Sequence, residues 1–326
     1  LNTSMIKFIS WFSKYNLVPL GMALKMCLIN KDIVEKSFNN EFDSFKIKNK
    51  KSKFILNFEQ KKSLSFLRSK GDNYNVTVLE GITGSGKTLV YFERIKDIVD
   101  GGHQALILLP EIALTSQFSR RFKEFFNAEP AIWHSATSKK NKSIIWKGVL
   151  EDKIKIIIGA RSSLFLPFKK LGIIVVDEEH DVSYKQDEGV SYNARDMAVM
   201  RASLENIPIN LVTSIPSIET YNNIVNKKYY LTKLKIPHLI LEKGSIANSW
   251  KKGRWDSFCL VTPNWTINLP GKPYEGKDKY GFMKRDDFVK YLEEWAESFY
   301  APIKENVEVK DISGKPGSFK ISTNVG

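Results

Sequence analysis

Only two cysteines, Cys27 and Cys259, occur among 326 residues. Two thiols can build neither a disulfide framework nor a cysteine-based zinc site, so no zinc is expected and a reducing, cytoplasmic setting fits. No apolar run approaches the roughly 18 residues that a membrane-crossing helix needs, so no membrane partner is expected. Internal repeats and low-complexity tracts are absent from the sequence, and disorder is not the default reading. What is present is ample apolar material, 42% of the residues, in a chain long enough for two domains with a core each. The opening "SMIKFISWFSKYNLVPLGMALKMCLI" lacks the small-residue cleavage pattern of a targeting segment and reads as an amphipathic helix followed by a Pro19–Gly21 turn. Residue 1 is Leu rather than Met, from which the chain is expected to begin inside a longer gene product.

Lys and Arg outnumber Asp and Glu by 50 to 36. The excess lies almost wholly in the first part: 36 basic and 24 acidic residues precede His238, against 14 and 12 from there on. A basic surface favours polyanions such as DNA or RNA, although a lysine-rich composition also arises from codon usage alone. The run "KIKNKKSK" (46–53) reads as a solvated basic connector, after which a domain begins.

Beyond that connector the chain alternates helices and buried strands. "FILNFEQKKSLSFLRS" has helical spacing with Asn57 as N-cap, and "YNVTVLEG" is a β-rich run. Further strands are predicted at 105–110, 131–135, 155–160, 172–180 and 209–214, with helices ending near Phe126 and spanning 139–150. Short continuous apolar runs separated by helices indicate an α/β core, a parallel sheet covered on both faces.

The first strand leads directly into "GITGSGKT" (81–88), the full G-x-x-x-x-G-K-[ST] pattern of a phosphate-binding loop. Gly81, Gly84 and Gly86 clear space so that backbone N–H groups, those of Thr83 and Ser85 among them, can surround phosphate oxygens. Lys87 reaches the β- and γ-phosphates as a point charge, and the Thr88 hydroxyl is placed for magnesium. Ninety positions after Lys87, "IIVVDEEH" ends a buried strand with carboxylates at its C-terminal edge, where open α/β sheets bind ligands. Asp177 can hold the magnesium ion, and Glu178 can orient and deprotonate the attacking water. ATP and Mg are therefore the expected cofactors, with Lys87, Asp177 and Glu178 as the catalytic set.

The segments "GITGSGKT", "LLPEIALTSQ", "IIIGARSSLFLPFKKLGIIVVDEEHDVSYKQDEGVSYNARDMAVMRA" and "IPSIETYNNIVNKKYYLTKL" resemble the first RecA-like motor domain of the PriA family, bacterial primosomal replication-restart helicases of superfamily 2. The likeness runs from about Leu56 to Leu234, and residues 7–26 resemble the closing part of that family's N-terminal DNA-binding domain. The resemblance implies a 3′–5′ DNA helicase motor with single-stranded or forked DNA and primosome proteins as partners. It implies that Gln60 reads adenine, the alternative being a plain exposed helix glutamine. It places "PEIALT" (110–115) and "GARSSLF" (159–165) against single-stranded DNA, with Arg161 and Ser162 on phosphates; Arg161 could instead cap a strand end. Tyr184 and Tyr192, in the family's aromatic-rich loop, become candidates for base stacking or for anchoring that loop. His180 completes the acidic signature and would hydrogen-bond across the site, whereas His134 lines a strand end.

The departures carry expectations of their own. "TSIPS" (213–217) stands where the family reads "GSATPS", which costs a hydroxyl at Ile215 and puts coupling between nucleotide and DNA in question. Leu89 replaces an acidic residue, and Ala160 a threonine. From His238 onward the zinc module and second motor domain of the family are replaced by a segment that resembles an internal piece of an FAD-dependent flavin monooxygenase. "HLILEKG" would be that fold's second strand and Glu242 its ribose-binding acid, but the G-x-G-x-x-G turn is missing, so FAD is not expected to bind. The expected organisation is a remnant of a DNA-binding domain at 1–30, a basic linker at 31–53, a RecA-like ATP-binding domain at 54–236 and a partial Rossmann-like fragment at 238–326. The function expected is an ATP-dependent helicase motor, incomplete and unable to unwind alone. A catalytically inactive, ATP-dependent DNA-binding module and a flavin monooxygenase fragment are the alternatives.

Overall fold

The computed structural model describes residues 1–28, 38, 41–47, 54–110, 115–187, 189–234, 239–269, 272–298, 302–315 and 318–325. Most of the basic connector, residues 111–114 of "PEIALT" and the junction at 235–238 lie outside the described residues. The chain divides into two compact units, Leu1–Ile236 and Pro237–Gly326.

In the first unit, α1 (Thr3–Tyr15) and α2 (Leu20–Cys27) precede α3 (Phe58–Ser69). Then come β1 (Val76–Gly81), α4 (Lys87–Asp100), β2 (Gln104–Leu108), α5 (Ser116–Phe126), β3 (Ala131–Trp133), α6 (Lys139–Leu150) and β4 (Ile156–Gly159). They are followed by β5 (Leu171–Asp177), the short β6 (Lys185–Gln186) and β7 (Tyr192–Asn193), α7 (Ala194–Glu205), β8 (Ile209–Thr213), α8 (Ile218–Val225) and β9 (Tyr230–Leu234). Seven strands form one sheet in the order β3-β4-β2-β5-β8-β1-β9, and every pairing is parallel.

The strands are Ile-, Val- and Leu-rich because each is buried on both faces. Successive side chains point to opposite sides of the sheet. Val76, Val78, Leu106, Leu108, Ile174, Val176, Ile209 and Leu211 enter one core, whereas Leu79, Ala105, Ile107, Ile173, Val175 and Val212 enter the other. α3, α4 and α5 cover the second of these faces, and α6 and α7 help to cover the first. α1 and α2 also belong to that first core. Phe8 and Phe12 are wholly buried and meet the Phe165 ring at 5.7 and 5.0 Å. Residues 1–28 belong to the first unit and help to close one face of the sheet, where Phe8 and Phe12 find an aromatic partner.

The second unit is built differently. β10 (Ile240–Leu241) pairs in parallel with β13 (Ile303–Lys304), and β11 (Asn268–Leu269) pairs antiparallel with β12 (Lys272–Pro273). Among the described residues α9 (Asn248–Gly253) and α10 (Arg285–Ser298) are its α-helices, and β14 (Val309–Lys315) and β15 (Ser318–Thr323) form an antiparallel hairpin. "HLILEKG" gives two strand residues, not the long second strand of a Rossmann sheet. Glu242 turns its carboxylate onto the N–H of Gly244 at 2.8 Å, within its own turn.

Candidate nucleotide-binding and catalytic site

β1 delivers the chain to Gly81, and α4 begins six residues later at Lys87. Between them Gly84 and Gly86 take left-handed backbone angles, φ +84° and +83°, which L side chains rarely adopt. A Cβ on Gly86 would come within 2.2 Å of Gln60 Nε2, so glycine is required there for space as well as for conformation. Gln60 arrives on α3 because Asn57 caps that helix: Asn57 Oδ1 accepts from the Gln60 N–H, and Gln60 Oε1 accepts from the Asn57 N–H, both at 2.9 Å. The other end of the amide donates to Ser85 O at 3.0 Å. Gln60 is thus a clasp on the phosphate loop rather than an exposed glutamine, with one N–H and one lone pair left over.

The loop fits a polyphosphate. The first N–H groups of α4 have no carbonyl inside the helix to bond. The buried Ser85 hydroxyl has no hydrogen-bond partner. Lys87 is buried and folds its Nζ back onto Gly81 O at 2.6 Å. These are the donors that an anion at a helix N-terminus recruits.

At the end of β5, Asp177 is buried and both of its oxygens accept hydrogen bonds. Oδ2 takes the Tyr91 hydroxyl at 2.8 Å, and Oδ1 takes the Glu178 N–H at 3.0 Å. Burial pushes its carboxyl up to about 6, against the opposing hydrogen bond from Tyr91, while the neighbouring Glu178 charge adds to the rise. Glu178 follows with φ +49°, a left-handed turn uncommon for a residue with a side chain, and its carboxylate remains more than one-third exposed. Its Oε2 lies 3.7 Å from His180 Nδ1. That nitrogen is 2.8 Å from the Thr213 hydroxyl, which donates in turn to Ile215 O at 2.7 Å. His180 therefore ties the acidic turn to the end of β8. The hydroxyl counted as lost at Ile215 has a counterpart in Thr213.

Asp177, Glu178, Gln60 and residues 83–88 line one cavity of about 430 Å³, together with Phe54, Leu89 and Arg121. Sequence reasoning missed Phe54 and Arg121, which no motif marks. It also missed Tyr91, whose signal was its position four residues after Lys87, one helical turn away. Leu89 lines the cavity in place of the expected acid. Glu179, the second glutamate of the acidic motif, is wholly internal: it accepts from the Ser217 N–H and hydroxyl, the Thr220 hydroxyl and Arg195 at 2.7 to 3.4 Å.

Residues 59–214 match the DEAD/DEAH box helicase family. Curated relatives agree on the subtype. The replication restart protein PriA of Rickettsia conorii is 45% identical over 239 residues, covering 72% of this chain and 35% of the relative. The PriA of Haemophilus influenzae is 40% identical over 197 residues, covering 60% and 26%. That of Bacillus subtilis is 34% identical over 272 residues, covering 81% and 34%. Residues 59–214 are a helicase domain of the DEAD/DEAH type, similar to the corresponding part of the PriA proteins. The chain spans about a third of the length of the first relatives it matches.

On the other edge of this helicase domain, Arg161 Nη1 donates to Lys185 O at 2.7 Å, and the exposed Ser162 hydroxyl accepts from Trp133 Nε1 at 3.2 Å. Both residues sit at the end of β4. The tyrosines do not fit base stacking, which needs an open ring face. Tyr184 is buried with its hydroxyl 2.5 Å from Asp177 O and 3.0 Å from Leu108 O. Tyr192 is buried against Phe12 and Phe165, with ring centroids 5.4 and 5.7 Å away. Both anchor the loop, the other role considered for them. His134 accepts the Ala136 N–H on Nδ1 at 3.2 Å and so shapes the turn after β3. Among the described residues no helix is long and apolar enough to cross a membrane.

Proposed function

We propose that this chain binds Mg–ATP in the cavity between the phosphate loop and the acidic turn, and hydrolyses it as the motor of a DNA helicase acting in replication restart. The observation that carries the reading is the meeting of Lys87, Thr88, Asp177 and Glu178 at one cavity. In this reading the loop amides and Lys87 hold the phosphates, Thr88 and Asp177 ligate the metal, and Gln60 offers its remaining N–H and lone pair to adenine. Glu178, the more exposed of the two carboxylates, orients the attacking water and takes its proton. Magnesium, when bound, neutralises charge developing on the phosphate oxygens.

Arg161 and Ser162 contact DNA phosphates at the end of β4, in a sequence-independent way suited to single strands. A 3′–5′ direction and primosome partners follow from the resemblance to PriA. Residues 1–326 alone are not expected to separate a duplex, because in this class the nucleotide cleft is closed by a second motor domain, which residues 238–326 do not resemble. The test is DNA-stimulated phosphate release: Glu178→Gln should lower it about 100-fold or more while ATP still binds. Equal rates in the two proteins would leave a nucleotide-dependent DNA-binding module in place of a motor.

A further inference from the structure

We infer that Tyr91 is a positioning residue for the metal site, its phenol hydroxyl holding the Asp177 carboxylate ready to ligate. The inference rests on the reading above, in which those two residues are the metal ligands.

The hydroxyl has polar neighbours on two sides. Tyr91 lies three residues after Thr88 on α4, so both side chains fall on one face of the helix. Its hydroxyl donates to Asp177 Oδ2 at 2.8 Å, with the Thr88 side chain beside it. Thr88 comes from the helix after β1 and Asp177 from the end of β5, strands that β8 separates in the sheet. Tyr91, on the same helix as Thr88, reaches across that gap to Asp177 with its hydroxyl.

The ring itself is wholly buried and packs edge-on against Phe92, centroids 5.2 Å apart. Phenylalanine would satisfy that packing equally, so the packing does not call for the hydroxyl. What the hydroxyl adds is a fixed rotamer for Asp177. With Oδ2 held by Tyr91 and Oδ1 by the Glu178 N–H, the carboxylate cannot rotate about its terminal bond without losing both donors. Each oxygen keeps a further lone pair for a cation. Groups that hold a ligand in this manner commonly set metal affinity.

The test uses the full chain with ADP and manganese, the ion read by its paramagnetic resonance signal. Tyr91→Phe should weaken manganese binding to the ADP complex by about 10-fold or more. ADP affinity in EDTA should stay within about twofold of wild type, since a pure packing defect in α4 would weaken both. Phe92→Leu, which trims the same packing without touching the hydroxyl, should lower the unfolding temperature and leave manganese affinity unchanged. p-Aminophenylalanine at position 91 restores a donor on the same ring; it should recover manganese affinity to within about threefold, and this arm stands even if Tyr91→Phe does not fold. Unchanged manganese binding in Tyr91→Phe, or none recovered by the amino analogue, overturns the inference. Asp177→Asn separates the two levels. If it abolishes manganese binding while Tyr91→Phe does not weaken it, only the role of Tyr91 fails. If wild type itself holds no manganese beyond free Mn–ADP, the metal-site reading fails and Tyr91 falls with it.

Discussion

Leu1–Ile236 and Pro237–Gly326 both contain strands and helices, yet they differ in how these are joined and in what they bury. In the first unit a parallel sheet is sandwiched between helices, and two apolar clusters run along its faces. Among the described residues of the second, only Ile267, Val289, Ala296 and Val307 are buried apolar side chains, while Trp255, Trp265, Tyr280 and Phe282 are exposed. The lesson is that apolar content alone does not make a core. A parallel sheet forces its side chains into two dry layers, whereas two-residue pairings and a lone hairpin leave aromatic rings at the surface.

The largest contrast should appear in thiol chemistry. Burial pushes the Cys27 thiol up to about 12, against the lowering influence of the Arg201 charge, whereas Cys259 is exposed. A rise of about three units cuts the thiolate fraction near pH 8 by roughly 10³. With a disulfide reagent, one thiol per chain should react promptly and Cys27 only as the first unit unfolds. Two fast thiols would show that the first core is not closed by α1 and α2.

Next comes the buried carboxylate that joins β5 to α7 and α8. Glu179→Ala takes one carboxylate from Arg195, which keeps Asp196, and removes the acceptor of three other donors, so the transition of the first unit should lose about 3 kcal/mol while the second keeps its own. Calorimetry of the full chain reads both at once. A matching drop in the second transition would make the two units one cooperative body. The smallest effect is the sharpest discriminator: Mg–ADP at 100 times its Kd should raise the first transition by about 2.7 kcal/mol and leave the other where it was.

Much of the motor was legible because its signals are local or repeated. Strand runs such as "GIIVVD" declare themselves by unbroken Ile and Val, Asn57 and Gln60 form a capping box three residues apart, and the phosphate loop is a fixed spacing of glycines. The order of motifs then implied that Lys87 and Asp177 would meet. What escaped was tertiary. Nothing in "SYKQDEGVSYNARD" marks Tyr184 and Tyr192 as buried; their fate depends on Phe12, Phe165 and the carbonyl of Leu108, all outside that loop. Nothing local assigns a role to the Tyr91 hydroxyl, which finds its partner only where the end of β5 lies beside it. The helix at Arg285–Ser298 in the second unit lies in "FMKRDDFVKYLEEWAESF", where apolar residues recur at helical spacing, so periodicity survives even where a core is thin. The flavoprotein-like strand did not, since two residues of pairing carry no periodicity to read.

The sheet order has a mechanical corollary. β8 is laddered to β1 on one side and to β5 on the other, so it is the spacer between lysine loop and acidic turn. Neither neighbour can widen or narrow that gap without breaking rungs or dragging β8 along its axis. Thr213, at the tip of this strand, grips His180. A displacement of residues 214–217 is accordingly geared to both lips of the cavity together, like a rack set between two pinions.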